Sequence, residues 1–474
     1  MAGRLPRIRE LPLTASAWEI AERLQGLPHL CFLDSAEGHP QRGRYSYVAA
    51  EPAEWLVGFV GPDSRANEQL WQRWQAAMRQ QPLVHDWPEE LPPFCGGWIA
   101  LLGYGLQRLW ENIPTPRWND LPVPDLVVGR YDWLLAFDHA RQRVWWIDWT
   151  ESDQAWHKVH TLLRSEPPAK VSTIGTTSTG VPVPLQAPAY PLPGWPGVCS
   201  NFDRQGYEAA VARAVAYVHA GDCFQVNLSQ RLMAPWTGSA WSLYKALRRC
   251  SPAPFAAYFD LGWCQVLSAS PERFLRLFPD GRVETRPIKG TRPRGRTPQE
   301  DAALAEELQA SPKERAENVM IVDLLRNDLG RVCRYGSVKV HAVCELESFR
   351  QVHHLVSEVR GRLRPGYGPL ELLAAAFPGG SVTGAPKVRA MEIIAELEPT
   401  ARGPYCGSLG WIGFNGAMDT NILIRTITLA HGWAQFPVGG GIVADSEPER
   451  EYAETLHKAA GLLRAWQQAY NTVH

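Results

Sequence analysis

Residues 207–233 read YEAAVARAVAYVHAGDCFQVNLSQRLM, and the hydrophobic period changes in mid-stretch. Tyr207, Val211, Ala214, Val215 and Val218 recur at helical spacing until Gly221, a residue suited to the left-handed stop of a helix. From Phe224 the period drops to two. Phe224, Val226 and Leu228 fall on one face and Gln225, Asn227 and Ser229 on the other, as in a strand. A helix feeding a half-polar strand is the unit of a mixed α/β chain.

Outward from this unit, strands are predicted at 255–260, 264–269, 274–278 and 282–288. A helix is predicted to start at Ser311-Pro312, with proline in its favoured first turn, and to stop at Gly330. The last helix opens at Ser446-x-x-Glu449, which has the form of a capping box, and runs to about Gln467. Toward the N-terminus, FCGGWIALLGYG (94–105) and VWWIDW (144–149) read as strands and tight packing. Between the two halves, residues 166–197 hold eight prolines among Ser, Thr and Gly, as a linker or an extended surface segment does. The chain therefore divides into an N-terminal region, 1–165, a proline-rich linker, 166–200, and a second region, 201–474.

Composition excludes several classes. With 48 Lys+Arg against 49 Asp+Glu there is no broad basic face for nucleic acid. No apolar stretch approaches the ~18 residues of a membrane span, and the N-terminus lacks the apolar core of a signal peptide. The nine cysteines are scattered, odd in number and without a C-x-x-C pair, so reduced core thiols fit better than a disulfide framework or zinc ribbon. These features together predict a soluble cytoplasmic protein. Fourteen of the 20 tryptophans precede residue 200 and read as packing mass for an N-terminal scaffold.

Polar residues of the second region sit in short Gly-flanked blocks at strand ends and helix starts, where α/β proteins place sites. Gly379 to Gly384 has the spacing of a phosphate loop, but Ala385-Pro386 stand where Lys and Ser/Thr are required. A glycine-rich turn feeding a helix capped near Gly384-Ala385 is the better reading. The glycines of GGGIVADS (439–446) offer amides to an anion. Glu451 and Glu454 share one helical face, and Glu317 lies on another helix among apolar neighbours. Each alone reads as a surface carboxylate; converging, they would offer oxygens to a hard cation such as Mg2+. Lys289, between Pro287 and Gly290 at a strand end, is either an exposed cation or, if buried, an amine with a lowered pKa and nucleophilic character. Glu272, in S-P-E-R-F after another strand, is a candidate general acid. His353 and His354 on one strand point to opposite faces, so at most one serves a given site.

Assembled in order, AGDCFQVNLSQR, SASPERF, RPIKGT, RAENVMIVDLLRNDLGR, VHHLVS, FPGGSVTGAPKVRAMEIIAELEP, YCGSLGWIGFNGAMDTNILIRT and GGGIVADSEPEREYAET resemble the chorismate-utilising enzymes. That family includes anthranilate, aminodeoxychorismate, isochorismate and salicylate synthases. The resemblance spans about 200–465 and, more weakly, LDSAEGHP, YSYVAAEP and GGWIALLGYG. It implies an α/β (α+β) fold of two large, mainly antiparallel sheets packed face to face, with helices outside and the site in a cleft. Gln225, where water-adding members carry Lys, points to ammonia as nucleophile. Lys289 in P-I-K-G-T, where anthranilate synthases read P-I-A-G-T, is similar to the aminodeoxychorismate synthase component I branch, with anthranilate synthase component I as the alternative.

The resemblance further implies roles for single residues. Lys289 would be a covalent nucleophile, Glu272 the acid and His354 an active-site histidine near the ring. Glu317 and Glu454, with Glu451 beside them, would hold Mg2+. Arg425 and Tyr405 would grip a carboxylate of chorismate, with Gly290, Thr291, Gly439, Gly440 and Gly441 around it. No G-x-C-x-G glutaminase elbow is found in the sequence, so ammonia would come from a separate glutamine amidotransferase subunit. Ser35, Arg44, Tyr45, Ser46, Pro254 and Phe255 match a tryptophan pocket of the family.

Overall fold

A computed structural model describes residues 5–12, 15–36, 43–61, 64–81, 83–165, 182–349 and 352–473. The first part of the proline-rich stretch, 166–181, lies outside these residues.

Two antiparallel sheets, of 13 and 10 strands among the described residues, form the centre. Their inner faces meet. One hydrophobic cluster joins Tyr47, Trp145, Ile147, Phe259 and Val266 of the larger sheet to Ile99, Leu101, Val127, Leu409 and Trp411 of the smaller. Alternation explains how both faces of the larger sheet are covered. Trp145 points to that inner cluster, while its neighbour Trp146 points outward, with Phe32, Val48 and Phe436, against the helices Ala17–Leu24, Ala240–Cys250 and Pro448–Val473. The N-terminal tryptophans are mostly core: Trp74, Trp145 and Trp146 are fully buried.

Each sheet joins a contiguous block of strands from before the proline-rich stretch to a block from after it. Cys31–Asp34 pairs with Phe255–Asp260 in the larger sheet, and Gly97–Leu102 pairs with Ser408–Gly413 in the smaller. The end of the proline-rich stretch also joins a sheet, since Cys199–Ser200 pairs with Leu232 and Met233.

Local signals account for most elements. The opening helix is Arg204–His219, with the Asp203 side chain accepting from the Gly206 N–H, and it delivers into the strand Gln225–Pro235. The strand predicted at 282–288 is broken into Arg282–Thr285 and Ile288–Pro293, because Pro287 has no N–H to give a ladder. The helix Pro312–Gly330 starts on a Ser311 cap as read. It is preceded by a further helix outside the predicted elements, Pro298–Ala310, capped in the same way by Thr297. The last helix differs from its prediction: it begins at Pro448 and continues to Val473. Ser446 does not form the box with Glu449; its hydroxyl accepts from the Val443 N–H and donates to Glu451. The glycine-rich turn makes a 3-10 turn, Gly380–Val382, then a two-residue strand, Gly384–Ala385, beside Gln225 and Val226. The helix follows at Lys387–Leu397, starting three residues beyond Gly384.

A buried ion pair holds this turn to the site strand. Arg402 donates to both oxygens of Glu398 (2.6 and 2.8 Å), to the Asn227 carbonyl and to the Val382 carbonyl. Glu398 also accepts from Ser229 N–H and Oγ. Removing one partner strands the other charge, so Glu398→Ala should destabilise the protein by about 3–5 kcal/mol. The Glu398→Met/Arg402→Met double variant should lose less than the single one. Denaturant unfolding checks both, and an additive double variant would contradict the coupling.

Candidate active site

The site is built where the strand Gln225–Pro235 meets Trp433–Ile442. Asn227, Leu228 and Ser229 lie opposite Gly441, Gly440 and Gly439. Bare glycines here let side chains from elsewhere lie on the strand. A Cβ on Gly440 would come 3.2 Å from a Glu451 carboxylate oxygen, 3.5 Å from one of Glu454 and 3.8 Å from Lys458 Nζ. A Cβ on Gly441 would press on the Gln225 amide at 3.0–3.3 Å. Three polar side chains of the last helix and Gln225 therefore converge on this one edge.

Lys289 enters from the smaller sheet, on Ile288–Pro293. The register with Val352–Arg362 shifts between Lys289 and Thr291, and Gly290 takes a φ of 83° there. The bulge aims Lys289 inward. Its Nζ lies 3.5 Å from Gln225 Oε1 and 3.7 Å from Glu317 Oε2, and its side chain is 12% exposed. Burial pushes the ammonium pKa down from its ordinary value, and Glu317 and Glu272 only partly restore it. The Gln225 side chain is fully buried, and its Nε2 has no hydrogen-bond partner. A buried amide thus faces the lysine through its oxygen.

Glu272 is 5% exposed, and burial raises its carboxyl pKa to about 7 against hydrogen bonds from Ser381 and the Ile288 backbone and the charge of Lys289. A carboxyl poised there can be protonated at neutral pH and serve as an acid. Glu317 and Glu451 are also raised by burial, with Lys289 countering the first and the Ser446 hydroxyl (2.6 Å) the second. Glu454 is buried less effectively, and Lys458 at 2.7 Å holds it below the usual carboxylate range.

His354 and His353 diverge as the strand period demands. His354 Nδ1 meets Thr291 Oγ1 at 2.8 Å, whereas His353 is held between Ser348 and Asp301. Tyr405 is buried next to Cys406, whose N–H donates to the Leu423 carbonyl; Arg425 follows two residues on, with φ 50°. The Arg425 carbonyl accepts from the Ala269 N–H, and Glu272 accepts from the Ile422 N–H, which places both residues on the wall that carries Glu272.

Two contributors were not singled out from sequence. Ser381 touches Glu272 from inside the GGSVTG turn, which read as a connector. Lys313 lies within electrostatic reach of Glu317, Glu451 and Glu454, and its four-residue spacing before Glu317 was the available signal.

The six residues read as a tryptophan pocket lie elsewhere. Ser35, Arg44, Tyr45, Pro254 and Phe255 line a cavity of about 850 Å3 between the sheets, which none of the residues around Lys289 reaches. Ser46 does not line it. It is fully buried, accepts from the Ser35 N–H and bonds His139 at 2.7 Å.

For a cation, the donor set is three carboxylates on two helices, all hard oxygens. Glu454 pushes up the pKa of both Glu317 and Glu451, so it repels each of them. Among the described residues no group of three or more His, Cys, Asp or Glu side chains is gathered closely enough to hold a metal ion, these three carboxylates included. What the three share with a Mg2+ site is the donor chemistry alone, hard carboxylate oxygens of the kind that ion takes beside its waters.

Residues 30–464 match the family described as chorismate binding enzyme. The chain belongs to that family. Among its relatives, aminodeoxychorismate synthase component 1 of Salmonella typhimurium is 44% identical over 80% of this chain and 78% of that protein. Anthranilate synthase component 1 of Thermus thermophilus is 42% identical, over 84% and 82%. The crystal structure of anthranilate synthase component I from Streptococcus pneumoniae superposes with a TM-score of 0.73 at 32% identity, covering 90% of this chain and 93% of that one. In this chorismate binding enzyme, every residue of the Lys289 cluster falls inside the matched span.

The raised carboxyl of Glu272 carries a pH prediction. An acid must hold its proton, so kcat/KM for chorismate, at fixed free ammonia, should fall as pH rises through about 7. Glu272→Gln should lose that basic limb and lower turnover by about 10²–10⁴-fold. A basic limb that persists in the variant would assign it to another group.

Proposed function

We propose that this chain is the large component of an aminodeoxychorismate synthase, which turns chorismate and ammonia into 4-amino-4-deoxychorismate. One observation carries the reading most: a buried lysine of lowered pKa faces Gln225 and lies within the field of a protonatable Glu272. The lysine replaces the small residue of P-I-A-G-T, and Gln225 replaces the lysine that a water-adding enzyme would use as base.

The chemistry follows from the layout. Lys289 Nζ, uncharged, adds at C2 of the ring; the double bonds shift and the C4 hydroxyl leaves as water with the proton of Glu272. Ammonia then adds at C4, the double bonds shift back, and the C2–N bond to lysine breaks. Splitting one displacement in two is the benefit of a covalent intermediate. Gln225, buried, orients the amine by accepting from it through Oε1. Arg425 and Tyr405 hold the enolpyruvyl carboxylate, and the amides of Gly290 and Gly439–441 with the Thr291 hydroxyl surround the substrate. His354, fixed by Thr291, stands near the ring.

Glu317, Glu454 and Glu451 would hold Mg2+, which when bound offsets the charge of the substrate carboxylate. Ammonia comes from a partner component, a glutamine amidotransferase.

Product identity tests this reading. With chorismate, ammonium and Mg2+, the protein should give p-aminobenzoate only when aminodeoxychorismate lyase is added, and EDTA should abolish turnover until Mg2+ is restored. Fluorescent anthranilate without lyase would replace the reading with anthranilate synthase, for which the Thermus relative is the precedent. Full activity in EDTA would contradict the carboxylate assignment.

A further inference from the structure

A second, smaller cavity of about 280 Å3 lies at the far end of the strand that carries Gln225. Trp236, one of its walls, directly follows Gln225–Pro235, which puts it roughly 30 Å along the strand from Gln225. The cavity shares no lining residue with the larger one between the sheets, and Trp236, Trp241 and Tyr258 belong to the apolar cluster beneath the helices. Its walls are aromatic and fixed. Trp241 is stacked on Trp18 at 4.6 Å and meets Tyr258 edge to face at 4.9 Å. The Trp433 indole N–H donates to the Val183 carbonyl at 2.8 Å. Trp263, on the hairpin between Phe255–Asp260 and Gln265–Ser270, lines the cavity yet is 39% exposed.

One carboxylate stands among these rings. Asp260 Oδ1 accepts from the Gly262 N–H and from Gln265 Nε2, both at 3.0 Å. Those bonds shape the hairpin, and an asparagine oxygen would accept them equally well, so the turn does not require the charge. Oδ2 accepts no hydrogen bond among the described residues and is not sealed from solvent. Among the same residues Asp260 has no ion pair: His29, whose charge reaches it, is stacked on Trp55 at 4.1 Å. Burial pushes the carboxyl pKa up, the sign of an anion that the protein does not itself neutralise. An unpaired carboxylate among tryptophan and tyrosine rings is complementary to an organic cation, since oxygen accepts its N–H and the ring faces attract its charge.

We propose that this cavity is a binding site for a small organic ammonium ion, with Asp260 Oδ2 pairing the ammonium and the tryptophan rings packing on the rest of the ligand. The site is separate from the reaction at Lys289 and does not depend on it.

Two ligands of one size test it with the full chain in ligand-observed NMR titrations: benzylamine, a cation at neutral pH, and benzyl alcohol, its neutral counterpart. Benzylamine should bind at least about tenfold more tightly, the lower end for a charge-assisted pair, and chorismate should not displace it. Asp260→Asn keeps the turn and should erase that preference. Trp263→Ala should weaken benzylamine about two- to fivefold, as loss of one exposed cation–π face does. Chorismate turnover of both variants should be unchanged, which reports their folding. Equal binding of the two ligands would overturn the proposal. So would a preference that survives in Asp260→Asn, unaltered benzylamine affinity in Trp263→Ala, no benzylamine binding, or its displacement by chorismate.

Discussion

Everything around the catalytic cleft depends on holding one amine in a place where its charge is disfavoured. In the proposed reaction Lys289 must lose its proton to act as a nucleophile, and burial supplies that push. The same burial raises Glu272 and Glu317, so the surrounding carboxylates are weakened as counter-charges just where they would otherwise fix the lysine as a cation. Amine and acid are thereby moved toward each other in pKa, which is the condition for a proton to be held on one and absent from the other near neutral pH. Glu454, kept ionised by Lys458, is the contrasting carboxylate in the cluster.

The sheets make this possible by bringing residues distant in sequence to one edge. Lys289 belongs to the smaller sheet and Gln225 to the larger, and their side chains meet across the cleft between them. The larger sheet can host the helix carboxylates because Gly440 carries no Cβ, and the Gln225 amide because Gly441 carries none. Gly384, with φ 148°, lets the glycine-rich turn pair with Gln225, since any side chain there would strike the Gln225 carbonyl. Arg402 and Glu398 then lock that turn to Asn227 and Ser229. Site and core are thus continuous.

Much of this was legible in the amino-acid order, for identifiable reasons. The change of period at Gly221, the Ser311-Pro312 start and the i,i+3 spacing of Glu451 and Glu454 are local signals, and the structure reproduces the elements they imply. Local signals failed where a competing partner intervened. Ser446 looked like a cap but gives its hydroxyl to Glu451, and Pro287 split a strand whose hydrophobic pattern continued through it. The helix Pro298–Ala310 carries a Thr-Pro start, like the Ser-Pro start of its successor, and lies outside the elements predicted from sequence. Long-range pairing left no local trace. Nothing near Cys31 announces Phe255–Asp260 as its neighbour, and Ser46 shares a strand with Tyr45 but points to His139 and away from the cavity. The role of Ser381 likewise appears only when its turn is folded against Glu272.

The central claim is that Lys289 forms a bond to chorismate. Acid-quenched protein incubated with chorismate and Mg2+ but no ammonia, digested and mapped by mass spectrometry, addresses it most directly. The peptide bearing Lys289 should gain the mass of chorismate less one water, and the gain should vanish on adding ammonium and never form in Lys289→Ala. An adduct of that mass on any other residue, or one that survives in Lys289→Ala, would contradict it.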